Sequence, residues 1–441
     1  MPRATRRRGR VVRGVLSRPT GNGRSRVSSL KSEGKSFAIS RQEVWEAWEK
    51  VRSKKGGPGI DGQTLEDFEA DLKGNLYKIW NRMASGRYFP PPVKAVEIPK
   101  IGGTRVLGVP TVADRIAQTV AARRLEARVE PIFHADSYGY RPKRSPLDAV
   151  AVCRERCWKY GWVIDLDVQK FFDTVPWDLI VKAVMAHCDD PWVVLYVKRW
   201  LQAPLVLPDG TVQERDRGTP QGSAISPLLA NLFMHYAFDM WMTRSFPGVP
   251  FERFADDVIV HCTSPVQAAR VLAAIGDRMV EVGLRLHPDK TKIVDCRVKG
   301  WRKGDQPTSF IFLNYEFRKR AARNNRTGKV FTGFLPAVSA PAMKRMSEEV
   351  RGWRLHNKTN LTLPELARWL NPIIGGWIQY FGEYYPTELD PLLRRINTYL
   401  VRWLRKKYKR LKSLKKAKWA WQRIIRQFPR GFVHWERVTS F

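Results

Sequence analysis

Asp256 and Asp257 stand side by side between two short runs of strand formers, Phe251-Glu252-Arg253 and Val258-Ile259-Val260. That arrangement predicts a β-hairpin whose tip carries two carboxylates. An adjacent Asp pair is also a common solvated turn, so the pair gains meaning only from a third acid. Asp167 supplies it. The run Trp162-Val163-Ile164-Asp165-Leu166-Asp167 alternates with period two, placing Asp165 and Asp167 on one face and Trp162, Ile164 and Leu166 on the other. A carboxylate inside so apolar a strand is costly unless it is paired or ligates a cation. If the two strands are neighbours, Asp167, Asp256 and Asp257 form a cage of hard oxygen ligands that suits Mg2+ and leaves positions open for phosphate.

The elements that must position these acids are also readable. Between them lies Arg217-Gly218-Thr219-Pro220-Gln221-Gly222-Ser223-Ala224-Ile225-Ser226-Pro227, in which Gly218 and Gly222 permit close backbone approach and Ser226-Pro227 has the cap-then-proline signature of a helix start. Upstream, Val44, Trp45, Trp48 and Val51 are spaced as one apolar helix face. The Gly-rich stretch Lys54 to Gly62 reads as a connecting loop with basic residues. Val96 to Lys100 and Thr104 to Pro110 flank Gly102-Gly103 as a hairpin. Phe310 to Phe317 alternates like a strand, and Ser339 and Pro341 open a helical region after the turn signals at Asn324-Asn325 and Gly328.

The order and spacing of these motifs resemble bacterial group II intron-encoded reverse transcriptase/maturase proteins, from about Phe37 to near the C-terminus. The resemblance implies an α+β fold: a right-hand polymerase with fingers and a palm built on an antiparallel sheet, followed by an α-helical thumb/maturase domain. The expected limits are a basic arm at 1–36, fingers at 37–150, a palm at 151–325 with part of the fingers inserted, and the thumb/maturase domain at 338–441. The segment Leu366 to Gly382 is the one that resembles the maturase region.

Roles follow from the same resemblance. Asp167, Asp256 and Asp257 are the expected catalytic and metal-binding residues, holding two Mg2+ ions. Lys100 and Arg105 grip the incoming triphosphate, Arg being the better fork for phosphate. Phe172 lies under the sugar and favours dNTPs, although an ordinary core phenylalanine remains open. Gln221 approaches the new base pair. Leu313, Asn314 and Tyr315 form the primer grip, with Asn314 in place of the usual Gly and able to take left-handed geometry. Ser223 is a second departure from an expected Gly. Lys290 is either a general acid for pyrophosphate or a surface lysine, and Arg141 contacts template or supports structure. The implied partners are group II intron RNA, an RNA template, a DNA primer or target DNA, and dNTPs.

Composition points the same way. With 78 Lys+Arg against 42 Asp+Glu, the net charge is +36 and the pI near 10.4, an excess that calls for a polyanionic partner. At 441 residues and 43% hydrophobic content, the chain can build two to four domains. No apolar run approaches the ~20 residues that span a bilayer, so no membrane partner and a cytoplasmic, nucleoid-associated location are expected. Five cysteines without a CxxC pair read as reduced structural thiols, and with none beyond Cys296 no C-terminal endonuclease is expected.

Near the C-terminus, Val401, Leu404, Tyr408 and Leu411 form an apolar stripe along one predicted helix. Its other faces carry Arg402, Arg405, Lys406, Lys409, Lys412 and Lys416, the expected RNA-binding residues. Trp419, Trp421, Phe432 and Trp435 read as core. Two other functions stay in view: an RNA-binding splicing cofactor without polymerase activity, and a domesticated group II-like reverse transcriptase serving defence.

Overall fold

The computed structural model describes residues 35–100, 103–298, 306–323 and 327–441. The expected basic arm, apart from residues 35 and 36, lies outside the described residues. So do Gly102, the Asn324-Asn325 turn and the side chain of Lys100.

Capping boxes at Ser40 and Thr64 start helices α1 (Arg41–Ser53) and α2 (Leu65–Ala70), and α3 (Leu72–Ala84) follows. Val44, Trp48 and Val51 are buried as expected, but Trp45 is turned outward, because Ala47 completes the inner stripe. Strands β1 (Val93–Lys100) and β2 (Gly103–Val109) form the antiparallel hairpin predicted around Gly103. Helix α4 (Val112–Val129) then crosses the region, and its Arg115 donates to the Gly57 carbonyl (2.8 Å), which makes the Gly-rich loop a packed connection.

Helix α5 (Pro146–Lys159) leads into β3 (Trp162–Asp167), the short α6 (Phe171–Thr174), α7 (Trp177–His187) and α8 (Pro191–Gln202). Strands β4 (Leu205–Val206) and β5 (Val212–Gln213) return to the first hairpin and extend its sheet in the order β2-β1-β4-β5. Next come α9 (Ser226–Met234), α10 (Met240–Ser245), β6 (Phe251–Phe254), β7 (Asp257–Cys262), α11 (Pro265–Glu281) and β8 (Lys292–Asp295). The central sheet has the order β6-β7-β3-β8, with every neighbouring pair antiparallel.

This sheet is buried on both faces. Trp162, Ile164, Leu166, Val258 and Val260 belong to a core shared with α1, α3, α4, α7–α9 and α11. Val163, Ile259 and Val294 belong to a second core on the far side. That core is closed by α5, by β9 (Ser309–Phe312), β10 (Tyr315–Arg323) and β11 (Val330–Val338), and by α12 (Ala340–Gly352), α13 (Leu363–Phe381), α14 (Asp390–Lys407) and α15 (Leu414–Gln427). Each large apolar side chain so buried stabilises the fold by about 1.5–3 kcal/mol.

Two expectations change. The run Phe310 to Phe317 is a hairpin, with Leu313 and Asn314 both at positive φ (51° and 67°) as a two-residue turn requires; Phe310 stacks on Phe317 across it at 4.7 Å. The basic C-terminal stretch is two helices. Tyr408 leaves α14 in an extended conformation, and the Lys409–Leu411 turn separates it from α15. The consecutive cations there gain more from solvent than from one another's company on a continuing helix. Trp421, Phe432 and Trp435 are core, whereas Trp419 is 64% exposed. Among the described residues no helix is long and apolar enough to cross a membrane.

The C-terminal segment is tied down by the buried Asn397, whose carbonyl accepts from His434 Nε2 (2.7 Å) and Trp435 Nε1 (3.1 Å), while its amide donates to the carbonyl of Val438 (3.1 Å). Burial pushes His434 down to about 4. A depressed histidine contributes stability above its ordinary pKa that is lost as pH falls toward the folded value. The urea midpoint of the wild type is therefore expected to drop between pH 6.5 and about 4. His434→Gln should remove that part of the slope, on the order of 3 kcal/mol at most.

Candidate active site

The register of β3 and β7 sets Asp167 directly opposite Asp257, and two residues further in Asp165 faces Ile259. All three carboxylates lie on the face of the second core, at the end of the sheet where β6 turns into β7. Phe254 pairs with Asp257, so the hairpin tip is Ala255-Asp256. Ala255 has φ +59°, a left-handed conformation that costs an alanine roughly 1–2 kcal/mol.

Arg253 holds the tip in that shape. Its side chain has no exposed surface; Nε and Nη2 donate to the two oxygens of Asp239 (2.7 and 2.6 Å), and Nη1 donates to Asn231 Oδ1 (2.9 Å) and to the Ala255 carbonyl (3.1 Å). The Asn231 amide in turn donates to the Gly139 carbonyl. Gly139 is required there, since a Cβ would sit 2.5 Å from the Ala255 nitrogen. The Ser137-Tyr138-Gly139-Tyr140-Arg141-Pro142 segment thus lies along β6, with Tyr138 N donating to the Arg253 carbonyl (2.8 Å). Arg141 donates to the carbonyls of His134 and Ser137 (both 2.7 Å) and to Glu130 (2.9 Å), a structural bracket.

The electrostatics of the acids are strained toward a cation. Burial, then the neighbouring charges of Asp165 and Asp256, push Asp257 well above the usual carboxylate range, against a long hydrogen bond from Leu313 N (3.5 Å). Burial likewise pushes Asp165 up to about 7 despite Lys292 at 3.7 Å. Lys290 Nζ lies 3.0 Å from Asp167 Oδ2. A cluster in which carboxylates raise one another binds either protons or metal, and its all-oxygen donor set fits a hard divalent ion.

The 217–224 loop packs against the turn that follows β3. Gly218 has φ +78° and so little room that a Cβ would meet the Phe172 and Asp173 carbonyls at 2.7–2.8 Å, while Thr219 N donates to the Phe172 carbonyl (2.6 Å). Gly222, at φ +113°, abuts the Gly108 carbonyl of β2. The loop is thereby clamped between the Phe172 turn and the β1/β2 hairpin. Gln221 meets both: its Oε1 accepts from Arg105 Nε and its Nε2 donates to Asp173 (3.2 Å). Phe172 is buried against Phe171 and lines, with Val106, Arg217 and Gln221, a cavity of about 390 Å3.

One supporting network was not apparent from sequence. Ser223 Oγ and Ala224 N donate to Gln118 Oε1 (2.7 and 2.8 Å), and Gln118 donates to Asp114 (2.8 Å), which also accepts from Tyr88 (2.9 Å) and Trp200 (2.7 Å). Burial raises Asp114 to about 6 even so. The hydroxyl of Ser223, absent from a glycine, ties the loop to α4. The only sequence sign was Asp114 three residues after its cap Thr111.

Comparison with known proteins agrees with this geometry. Residues 96–317 match the family described as reverse transcriptase (RNA-dependent DNA polymerase). The chain belongs to the reverse transcriptase family. Residues 343–425 match the group II intron, maturase-specific domain. Relatives include protein YkfC of Escherichia coli K12 (29% identical, covering 62% of this chain and 79% of that protein) and the putative COX1/OXI3 intron 1 protein of Saccharomyces cerevisiae (32%; 44% and 23%). The group II intron-encoded protein LtrA of Lactococcus lactis is 26% identical, over 50% of this chain and 37% of that one. The chain thus spans less than half the length of two of these three. The two matched regions together resemble the reverse transcriptase and maturase pairing of group II intron-encoded proteins, and they support RNA and other nucleic acid as partners.

In this reverse transcriptase, the Leu313-Asn314 turn lies beside the acids and is held from the helical region: Tyr380 Oη donates to the Leu313 carbonyl (2.8 Å), and Arg345 donates to Asn314 Oδ1. Tyr315 is fully buried and donates its hydroxyl to the Tyr380 carbonyl, so it supports the turn from beneath. The basic residues divide into two groups. Arg402 and Lys406 are exposed on α14, whereas Lys409, Lys412 and Lys416 follow the helix break, and Arg405 Nε caps the Lys412 carbonyl (2.9 Å). Lys416 borders a groove of about 1050 Å3 with Arg410, Arg423, Trp419 and Phe428.

Removing one partner of a fully buried ion pair leaves an uncompensated charge. Arg253→Ala and Asp239→Ala are each expected to lower the unfolding free energy by about 3–5 kcal/mol, measured by urea denaturation. A loss under 1 kcal/mol would contradict the assigned role.

Proposed function

We propose that this reverse transcriptase copies group II intron RNA into DNA from a DNA primer, with Asp167, Asp256 and Asp257 as its catalytic carboxylates. The observation that carries the reading is the cross-strand register, which pairs Asp167 with Asp257 and leaves Asp256 at the adjoining tip. The division proposed is fingers at 37–150, palm at 151–325 and thumb/maturase at 338–441. Two Mg2+ ions held by the three acids would lower the pKa of the primer 3′-hydroxyl and neutralise the triphosphate and leaving pyrophosphate.

The chain's own residues do the positioning. Arg105 presents its guanidinium to the triphosphate from the β1/β2 hairpin, with Lys100 of the same hairpin as a second cation. Its contact with Gln221 couples that grip to the loop under the new base pair. Phe172, fixed by the Thr219 hydrogen bond to its carbonyl, closes the floor beneath the sugar and disfavours a 2′-hydroxyl. Lys290, already on Asp167, is within reach of the reacting phosphates and supplies the proton that leaves with pyrophosphate. Leu313 and Asn314 seat the primer end beside Asp257. The two basic groups around α14 and α15 take intron RNA phosphates, which links splicing assistance to template capture.

Primer extension on a structured RNA template with Mg2+ and dNTPs tests the proposal. The wild type should extend, and Asp256→Asn should slow extension by roughly 10^3-fold or more while retaining RNA affinity. A folded, RNA-binding wild type that extends nothing would overturn the reading in favour of a splicing cofactor without polymerase activity.

A further inference from the structure

The groove between the end of α14 and α15 pairs two kinds of surface, and phosphate contacts account for only one of them. Arg410, Lys415, Lys416 and Arg423 border it, and from Pro391 to Trp435 the sequence has no acidic residue to offset them. Among these cations stand three aromatic side chains that line the same groove: Trp419 is 64% exposed, Phe428 53% and Tyr408 38%. An amphipathic helix normally turns such rings inward, as α15 does with Trp421. Aromatic surface left open in a basic groove is the makeup of a stacking platform for single-stranded nucleic acid, since every base has a π-face and every linkage a phosphate.

The walls of the groove are fixed in advance. Tyr408 sets its ring edge-on to the buried Trp403 (centroids 6.3 Å apart, planes at 85°), and Trp403 Nε1 donates to the Lys358 carbonyl (2.9 Å). The turn after α14 is held where Arg405 Nε donates to the Lys412 carbonyl (2.9 Å). Opposite, Ala417 and Trp421 bury the inner face of α15, and Trp421 Nε1 donates to the Thr439 carbonyl (2.9 Å). Trp419 and Arg423 lie one turn apart on the exposed face of that helix, the guanidinium carbon 5.7 Å from the ring centroid. A strand entering here meets a ring and a cation already side by side, so little ordering is left to oppose binding.

We propose that this groove binds a short unpaired stretch of RNA, with a base stacked on Trp419 and the flanking phosphates on Lys415 and Lys416. The proposal rests on the reading that the basic groups around α14 and α15 take RNA phosphates, and it adds a selection: unpaired strand over duplex. Phosphates alone cannot make that distinction, because a duplex presents them at least as densely. Base faces can, because in an A-form helix they are covered by their neighbours and only an unpaired strand offers them. RNA is the strand assigned because the groove is built within, and just after, the residues 343–425 that match the maturase-specific domain.

Fluorescence anisotropy of the full-length protein with labelled oligouridylate of about 12 nucleotides, and with an RNA duplex of equal length, tests this. Trp419 is exposed, so its replacement leaves the core intact. Trp419→Ala should weaken oligouridylate binding roughly tenfold and leave duplex affinity within about twofold, and Trp419→Phe should restore most of the loss. Lys415→Ala/Lys416→Ala should weaken both RNAs alike and flatten their salt dependence. Trp419→Ala that binds oligouridylate as tightly as the wild type, or that loses both RNAs equally, overturns the proposal and leaves the phosphate reading standing. A double lysine variant with unchanged affinity and salt dependence overturns the phosphate reading and this proposal with it. If Trp419→Ala costs oligodeoxyuridylate more than oligouridylate, the occupant is DNA and the assignment to RNA is overturned.

Discussion

A guanidinium with no exposed surface stands directly beneath the two-residue turn that carries Asp256. Arg253 spends its donors on Asp239, Asn231 and the Ala255 carbonyl, and each bond fixes a different part of the site. Asp239 compensates the charge, without which burial of Arg253 would not be tolerated. Asn231 ties α9 to the Gly139 segment, and the Ala255 carbonyl holds an alanine in a conformation it would otherwise avoid. Strain of this kind persists only where the surroundings over-determine it, and here it sits beside Asp256 and Asp257.

Around that support, the central sheet works as a partition. One face is packed by the helices that precede and follow it, and the other by the three-stranded sheet and the C-terminal helices. Because both faces are covered, the strands cannot slip in register without driving Asp165, Asp167 and Asp257 into the opposite core. The partition also explains how the helical region reaches the chemistry. Tyr380 and Arg345 hold the Leu313-Asn314 turn, and Leu313 N donates to Asp257, so the helices matched by the maturase-specific domain connect to that acid through a single turn.

Much of this was legible in the residues. Period-two alternation placed Asp165 and Asp167 on one face, and two β-forming runs placed Asp256 and Asp257 at a tip, because strand patterning is local and side-chain direction follows from it. What escaped was assembled from distant segments. The Gln118 to Ser223 bond joins residues over a hundred positions apart. Composition misled at the C-terminus, where an apolar stripe suggested one continuous helix but the density of cations at Lys406 to Lys412 favours a break. Trp45 was assigned to the inner face by its spacing and Trp419 to the core by residue type, yet Ala47 completes the inner stripe of α1 and Trp419 is exposed.

The claim that Arg253 serves catalysis by shaping the tip, beyond its contribution to stability, is tested most directly by replacing the whole pair. An apolar substitute for a buried ion pair often leaves stability unchanged, so single-turnover dNTP incorporation by Arg253→Met/Asp239→Leu separates the two roles. The account predicts a folded double variant whose incorporation rate falls by roughly 10^2-fold, as expected when reacting groups are misplaced by about 1 Å. Incorporation at the wild-type rate by a folded double variant would contradict it.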